Sequence, residues 1–260
     1  MTSSSSPPLL EVASVTLAVA GRTLIRDVSL RVHPGNFWCI LGANGAGKTL
    51  FLHTVAGLRQ IDGGSVALAG KSLAQRTLHE AARIRGFLPQ STYHAFPMLV
   101  LDAVVMGRHP HLSRWEWEQG DDRTRAEDAL REVGLADMAR RDITTLSGGE
   151  RQRVAVATLL AQDVPLLLLD EPVAHLDLHH QILVLRHLAQ LAQTGRAVML
   201  SIHDLNLAQR FATHAMLFGE DASVDTGPAA EVMNEMSLSR AYGHPVSRLR
   251  IGAHAVFVAN

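Results

Sequence analysis

Residues 37–57, FWCILGANGAGKTLFLHTVAG, constrain the fold of this chain more than any other stretch. The apolar run FWCIL at 37–41 shows no alternation with polar residues, which suits a strand covered on both faces. Eight residues follow, Gly42, Ala43, Asn44, Gly45, Ala46, Gly47, Lys48 and Thr49. KTLFLHTVAG at 48–57 then places apolar side chains at 51, 52, 55 and 58 and stops at Gly57, a helical pattern with a C-terminal signal. A buried strand turning through glycines into a helix belongs to an α/β domain with a mostly parallel sheet. The loop has the form G-x-x-x-x-G-K-[ST]. Its glycines let backbone N–H groups face an anion, and the helix that follows adds its positive N-terminal end. In such a loop Lys48 reaches the outer phosphates of a nucleoside triphosphate, and the Thr49 hydroxyl is placed for Mg²⁺. Only Lys48 and Lys71 of the 24 basic side chains are lysine. One of the two stands where a compact ammonium serves better than a planar guanidinium.

Composition sets the limits around that motif. A chain of 260 residues with 47% hydrophobic content can build one large α/β domain carrying a subdomain. The net charge of −1 gives no broad basic footprint, so no nucleic-acid partner is expected. The single Cys39 lies in FWCIL and reads as a buried hydrophobe of a reducing compartment. The apolar runs LLLL at 166–169 and AVML at 197–200 fall far short of the ~20 residues of a spanning helix. Residues 1–8 read as a flexible lead-in without the charged and apolar regions of a secretory signal.

Along the chain, residues 10–32 alternate apolar and polar positions about Gly21, the pattern of an antiparallel hairpin or meander. IDGGSVALAG at 61–70 and RIRGFLPQ at 83–90 read as further strands. Residues 99–161 are mostly helical in pattern, clearest in DDRTRAEDALREVGL at 121–135. From 164 strands and helices alternate again, through PLLLLDE, HHQILVLRHLAQLAQTG, RAVMLSI and DLNLAQRFATH. There is no internal repeat, so the core occurs once.

Two further motifs carry chemistry. LLLLDE puts Asp170 and Glu171 at the carboxyl end of a buried strand, where α/β sheets expose ligand-binding groups, and Pro172 ends the run. LSGGE at 146–150 fits a capping box, with Ser147 as N-cap and Glu150 three residues on. The same start, with Gly148 and Gly149 bare of side chains, leaves N–H groups open to an incoming phosphate.

Taken in order, GANGAGKT, LSGGE and LLLLDEP resemble the ATP-binding subunit of an ABC transporter, over about residues 9–245. The resemblance implies a P-loop NTPase (RecA-like) core of mostly parallel sheet, with an N-terminal antiparallel β subdomain and a helical subdomain inserted at about 92–160. Residues 246–260 are left as a C-terminal strand or tail. It also implies ATP and Mg²⁺ as ligands, with Asp170, Thr49 and Gln90 at the metal and Glu171 as general base. Gln90 matches the glutamine that senses the membrane subunit, Asp177 the loop at the dimer interface, and His203 the switch histidine at the γ-phosphate. Ser147, Gly148, Gly149 and Glu150 would come from a second copy, head to tail with the first. The runs VVMGRHPHL at 104–112, HLDLHHQ at 175–181 and HDLNLA at 203–208 resemble the importers of iron–siderophore complexes, haem or cobalamin. Those imply transmembrane permease subunits, a periplasmic substrate-binding protein and a peripheral place on the cytoplasmic side of the bacterial inner membrane. One departure is Val19, which stands where many relatives stack an aromatic ring on adenine. Rival readings are an importer ATPase for a different substrate, a soluble ABC ATPase of DNA repair or translation, which typically fuses two cassettes or carries coiled insertions, and a P-loop kinase or GTPase, in which LSGGE and His203 would have no role.

Overall fold

The computed structural model describes residues 6–91, 96–112, 120–252 and 254–260. The alternating N-terminal stretch forms β1 (Leu10–Val19) and β2 (Arg22–Val32), paired antiparallel. Ala20 and Gly21 turn between them with φ of 48° and 80°, the double positive φ that matches the twist of a tight hairpin. Val19 and Arg22 face each other at this tip. The phosphate-loop unit follows as β3 (Phe37–Leu41) and α1 (Lys48–Val55). Next come β4 (Gly63–Leu68), β5 (Lys71–Ser72), α2 (Leu78–Ala82) and β6 (Arg85–Leu88). The helical stretch supplies α3 (Val100–Val105), α4 (Gly120–Glu132) and α5 (Gly148–Ala161). Beyond it lie β7 (Leu166–Leu169), α6 (Leu178–Gln193), β8 (Ala197–Ser201) and α7 (Leu205–Phe211). The chain closes with β9 (His214–Phe218), β10 (Val224–Pro228), α8 (Ala229–Val232), α9 (Glu235–Tyr242), β11 (Val246–Ile251) and β12 (His254–Ala259).

The central sheet has the order β10-β9-β3-β8-β7-β6 and is parallel except for the edge strand β10. A second sheet, β2-β1-β4-β5, is antiparallel throughout. Successive strand residues point to opposite faces, and the core divides accordingly. Trp38, Ile40, Leu166, Leu168 and Met199 pack with α1 and the antiparallel sheet. Phe37, Cys39, Leu41, Leu167, Leu169 and Leu200 pack on the other side with the helices that follow β6 and β7. Every residue of β3, β7 and β8 is buried, which is why these strands read as unbroken apolar runs. Burial also pushes the Cys39 thiol pKa up, as befits an inert packing group.

Three local readings are corrected. The apolar helix face drawn through residue 58 ends sooner, because Gly57 at φ 74° turns the chain and leaves Leu58 exposed. The helix read from DLNLAQRFATH stops at Phe211, since His214 already pairs within β9 and stacks on Trp38 at 4.8 Å. The end of the chain is a two-stranded hairpin, β11 with β12.

The run GRHPH is a weld between helices. Gly107 approaches α5 so closely that a Cβ there would lie 2.1 Å from the Thr158 carbonyl oxygen. Arg108, buried, donates to Asp122 Oδ1 of α4 at 2.8 Å and to the Ala161 carbonyl at 3.0 Å. His111 joins the Gln162 carbonyl at 2.6 Å through Nε2.

Candidate active site

The loop between β3 and α1 holds its shape through glycine. Gly42 has φ 143°, and a Cβ on it would meet Phe218 Cβ of β9 at 2.8 Å. Gly47, at φ 110°, is the N-cap of α1 and offers no side chain to the first N–H groups of that helix. A helix start left uncapped keeps those donors for an anion. Leu24 and Ile25 of β2 pack beside Gly47, so the antiparallel sheet borders the loop. Lys48 Nζ donates to the carbonyls of Gly42 and Ala43 at 2.7 and 2.9 Å. Burial lowers its pKa, while the negative charges of Glu171 and Asp170 act in the opposite direction.

Facing the loop are the ends of β6, β7 and β8. Asp170 N–H donates to the Leu88 carbonyl at 2.8 Å, so the ladder between β6 and β7 continues one residue past the strand and fixes the buried aspartate. Asp170 Oδ2 accepts from the Thr49 hydroxyl at 2.6 Å, and Oδ1 accepts from the Ser201 hydroxyl at 2.5 Å. Ser201 Oγ in turn accepts the Glu171 N–H at 2.8 Å. Glu171 has φ 49°, a left-handed backbone that non-glycine residues seldom adopt. Ser201 on one side and Gln152 Nε2 of α5, 3.4 Å from the Glu171 carbonyl, hold that conformation. The Glu171 carboxylate accepts from His203 Nε2 at 2.7 Å and from Gln90 Nε2 at 3.1 Å. Asn44, Gly45, Gly47, Lys48, Thr49, Gln90, Glu171 and His203 line one cleft of about 470 Å³.

The structure thus brings together Lys48, Thr49, Gln90, Asp170, Glu171 and His203 from four separate stretches of sequence. LSGGE is not among the residues lining that cleft. Ser147 caps α5, accepting from Glu150 N–H at 3.3 Å while its own N–H donates to Glu150 Oε2 at 2.7 Å. Ser147 and Gly148 are exposed, and a Cβ on Gly148 would touch nothing within 4 Å. The start of α5 is open to solvent. Asp177 caps α6 and accepts from His180 N–H at 2.9 Å, a bond that lowers its pKa ahead of the His180 ring contact. Sequence reasoning missed Ser201 and Gln152. A serine closing the apolar run AVMLS was the available signal for the first; Gln152 gave none.

A family model described as ABC transporter matches residues 25–174, more than half of the chain. A hemin import ATP-binding protein, HmuV, of Gloeobacter violaceus is 40% identical over 242 residues, covering 90% of this chain and 87% of the relative. The chain belongs to the ABC transporter family. It is an ABC ATPase, an ATP-binding subunit that hydrolyses ATP. A cobalamin import ATP-binding protein, BtuD, of Halobacterium salinarum is 36% identical to it, with 90% of this chain and 58% of the relative covered. Among solved structures, a metal-chelate type ABC transporter in an inward-facing conformation superposes with a TM-score of 0.85 at 26% identity, over 97% of this chain and 98% of the other. The ABC ATPase fold of these neighbours is the one described above.

Proposed function

We propose that this ABC ATPase energises import of haem or another iron chelate, or of cobalamin, by hydrolysing ATP between two head-to-tail copies of the chain. The observation that carries the hydrolytic part is the Glu171 carboxylate, held by His203 and Gln90 at the edge of the phosphate-loop cleft. The cargo reading draws on the hemin, cobalamin and metal-chelate relatives. Loop N–H groups and Lys48 grip the phosphates of ATP. Glu171 orients a water and takes its proton as the water oxygen attacks the γ-phosphorus and the bond to the β,γ-bridging oxygen breaks. His203 keeps the carboxylate aimed, and its exposed edge is free to meet the γ-phosphate. Thr49, Asp170 and Gln90 offer oxygen donors of the kind Mg²⁺ takes, and the ion would neutralise charge developing on the phosphates. Ser147, Gly148, Gly149 and Glu150 of one copy would close over the nucleotide held by the other, with Asp177 at the seam.

In this reading transmembrane permease subunits receive the work, and a periplasmic substrate-binding protein delivers cargo outside. Among the described residues no helix is long and apolar enough to cross a membrane. By likeness to the import ATP-binding relatives, the subunit would sit peripherally on the cytoplasmic side. The test is Glu171→Gln in cells that depend on the chain for uptake. Hydrolysis and uptake of haem, iron chelate and cobalamin are measured against wild type. Loss of hydrolysis with ATP binding retained, and loss of uptake of one cargo, are expected. Near-normal turnover would remove Glu171 from its role, and unchanged uptake of all three would remove the cargo reading.

A further inference from the structure

Residues 235–260 reach the phosphate loop through the Tyr242 side chain. Tyr242, the last residue of α9, accepts the Gly42 N–H on its hydroxyl oxygen at 3.2 Å. Gly42 is the residue whose carbonyl receives the Lys48 ammonium at 2.7 Å. Its φ of 143° is open to glycine and strained for other residues, so the backbone itself does little to hold it. Two hydrogen bonds, one on each side of this pliable residue, therefore set the direction of the carbonyl that positions Lys48. Phe218 blocks the third side.

Tyr242 is itself anchored. Gly243 at φ 62° ends α9 directly after it. The C-terminal hairpin grips this helix at its start and its middle: Arg248 N–H donates to Glu235 Oε1 at 2.5 Å, and Val246 N–H donates to Ser239 Oγ at 2.8 Å. Past the helix, the Asn260 carbonyl meets His244 Nε2 at 2.7 Å. The hairpin also clasps α7, the helix that begins just after His203. Phe257 N–H donates to Asn206 Oδ1 at 2.7 Å, and Asn206 Nδ2 donates back to the Phe257 carbonyl at 3.2 Å.

We propose that Tyr242 is a positioning residue of the nucleotide site, through which residues 235–260 set how tightly the phosphate loop holds ATP. Its hydroxyl bonds the Gly42 N–H, whereas the hydrolytic carboxylate is bonded by His203 and Gln90, so the hydroxyl should affect binding of ground state and transition state alike. The inference rests on reading residues 42–49 as the grip on ATP.

Tyr242→Phe keeps the ring and removes only the hydroxyl. The expected result is an ATP KM raised about three- to tenfold, the range of one hydrogen bond, with kcat within about twofold of wild type. Hydrogen exchange read on peptides spanning residues 37–48 should show a slow Gly42 amide in the wild type that speeds up in the variant. Unchanged KM in the folded variant, or a Gly42 amide that exchanges freely in the wild type, would overturn the proposal. So would a fall in kcat that tracks a lowered melting midpoint, because that describes a packing role. Lys48→Ala run alongside separates the two readings: if it leaves ATP affinity intact, the loop assignment itself has failed.

Discussion

Ser201→Ala removes one oxygen atom from a position with no solvent exposure and should disturb both site carboxylates at once. The hydroxyl donates to Asp170 Oδ1 at 2.5 Å and accepts the Glu171 N–H at 2.8 Å. A hydrogen bond to a charged group contributes about 1.5–3 kcal/mol and a neutral one about 0.5–1.5 kcal/mol, and alanine leaves both partners without that contact. A stability loss of about 2–4 kcal/mol follows, with little cavity cost because only an oxygen is lost. Catalysis should suffer separately. The left-handed Glu171 backbone loses its N–H anchor, and a carboxylate displaced by a fraction of an ångström from its water costs roughly tenfold or more in kcat. Urea unfolding, with the slope unchanged, gives the first quantity, and steady-state ATPase of the folded variant gives the second. Destabilisation below about 0.5 kcal/mol together with kcat within about twofold of wild type would refute the bridging role given to Ser201. Ser201→Cys keeps a weak donor and should fall between the two.

Arg108→Met strips the guanidinium from the buried bond to Asp122 and from the Ala161 carbonyl. About 3 kcal/mol should be lost in urea unfolding, because a buried carboxylate loses its cation, while ATPase per folded molecule stays near wild type. Val19 is exposed at the tip of the first hairpin, whose second strand borders Gly47. Val19→Tyr should tighten ATP binding by about 1 kcal/mol or more through base stacking, and GTP should compete with ATP within roughly tenfold in the unmodified protein. Strong discrimination for ATP by the unmodified chain would place the base against another residue.

The sequence was most legible where apolar pattern and glycine act locally. FWCIL, LLLL and AVML read as buried strands because both faces of the central sheet are covered, and the residues of each strand alternate between the two halves of the core. Gln90, Asp170, Glu171 and His203 could be placed at strand ends because each follows an apolar run. What joins them could not be read. The link from Thr49 through Asp170 to Ser201 and the Glu171 N–H depends on strand order, which sets β7 beside β8 and β6 beside β7. Gln152 comes from a helix about 20 residues before Glu171 and meets its carbonyl only through packing. GRHPHL carried part of the resemblance to the importer group, and the contacts it makes, closing α3 onto α4 and α5, could not be read from the sequence. The turn at Gly57 and the early end of α7 show the same limit from the other side. A helical period continues on paper past the residue where a left-handed turn or the next strand takes over the chain.

The central claim, a site built from two copies, is tested most directly by mixing two inactive variants. Lys48→Ala removes the ammonium of the phosphate loop, and Ser147→Arg fills the open helix start with a bulky side chain. Each homodimer should be dead. A head-to-tail heterodimer carries one doubly damaged site and one intact site. With equal amounts of each chain, half the dimers should be mixed, and ATPase should return to roughly a quarter of the wild-type rate. Heterodimer content is checked by differently tagged chains pulled down together. Recovery to that level is the expected result, and a mixture that stays inactive although heterodimers are present would contradict it.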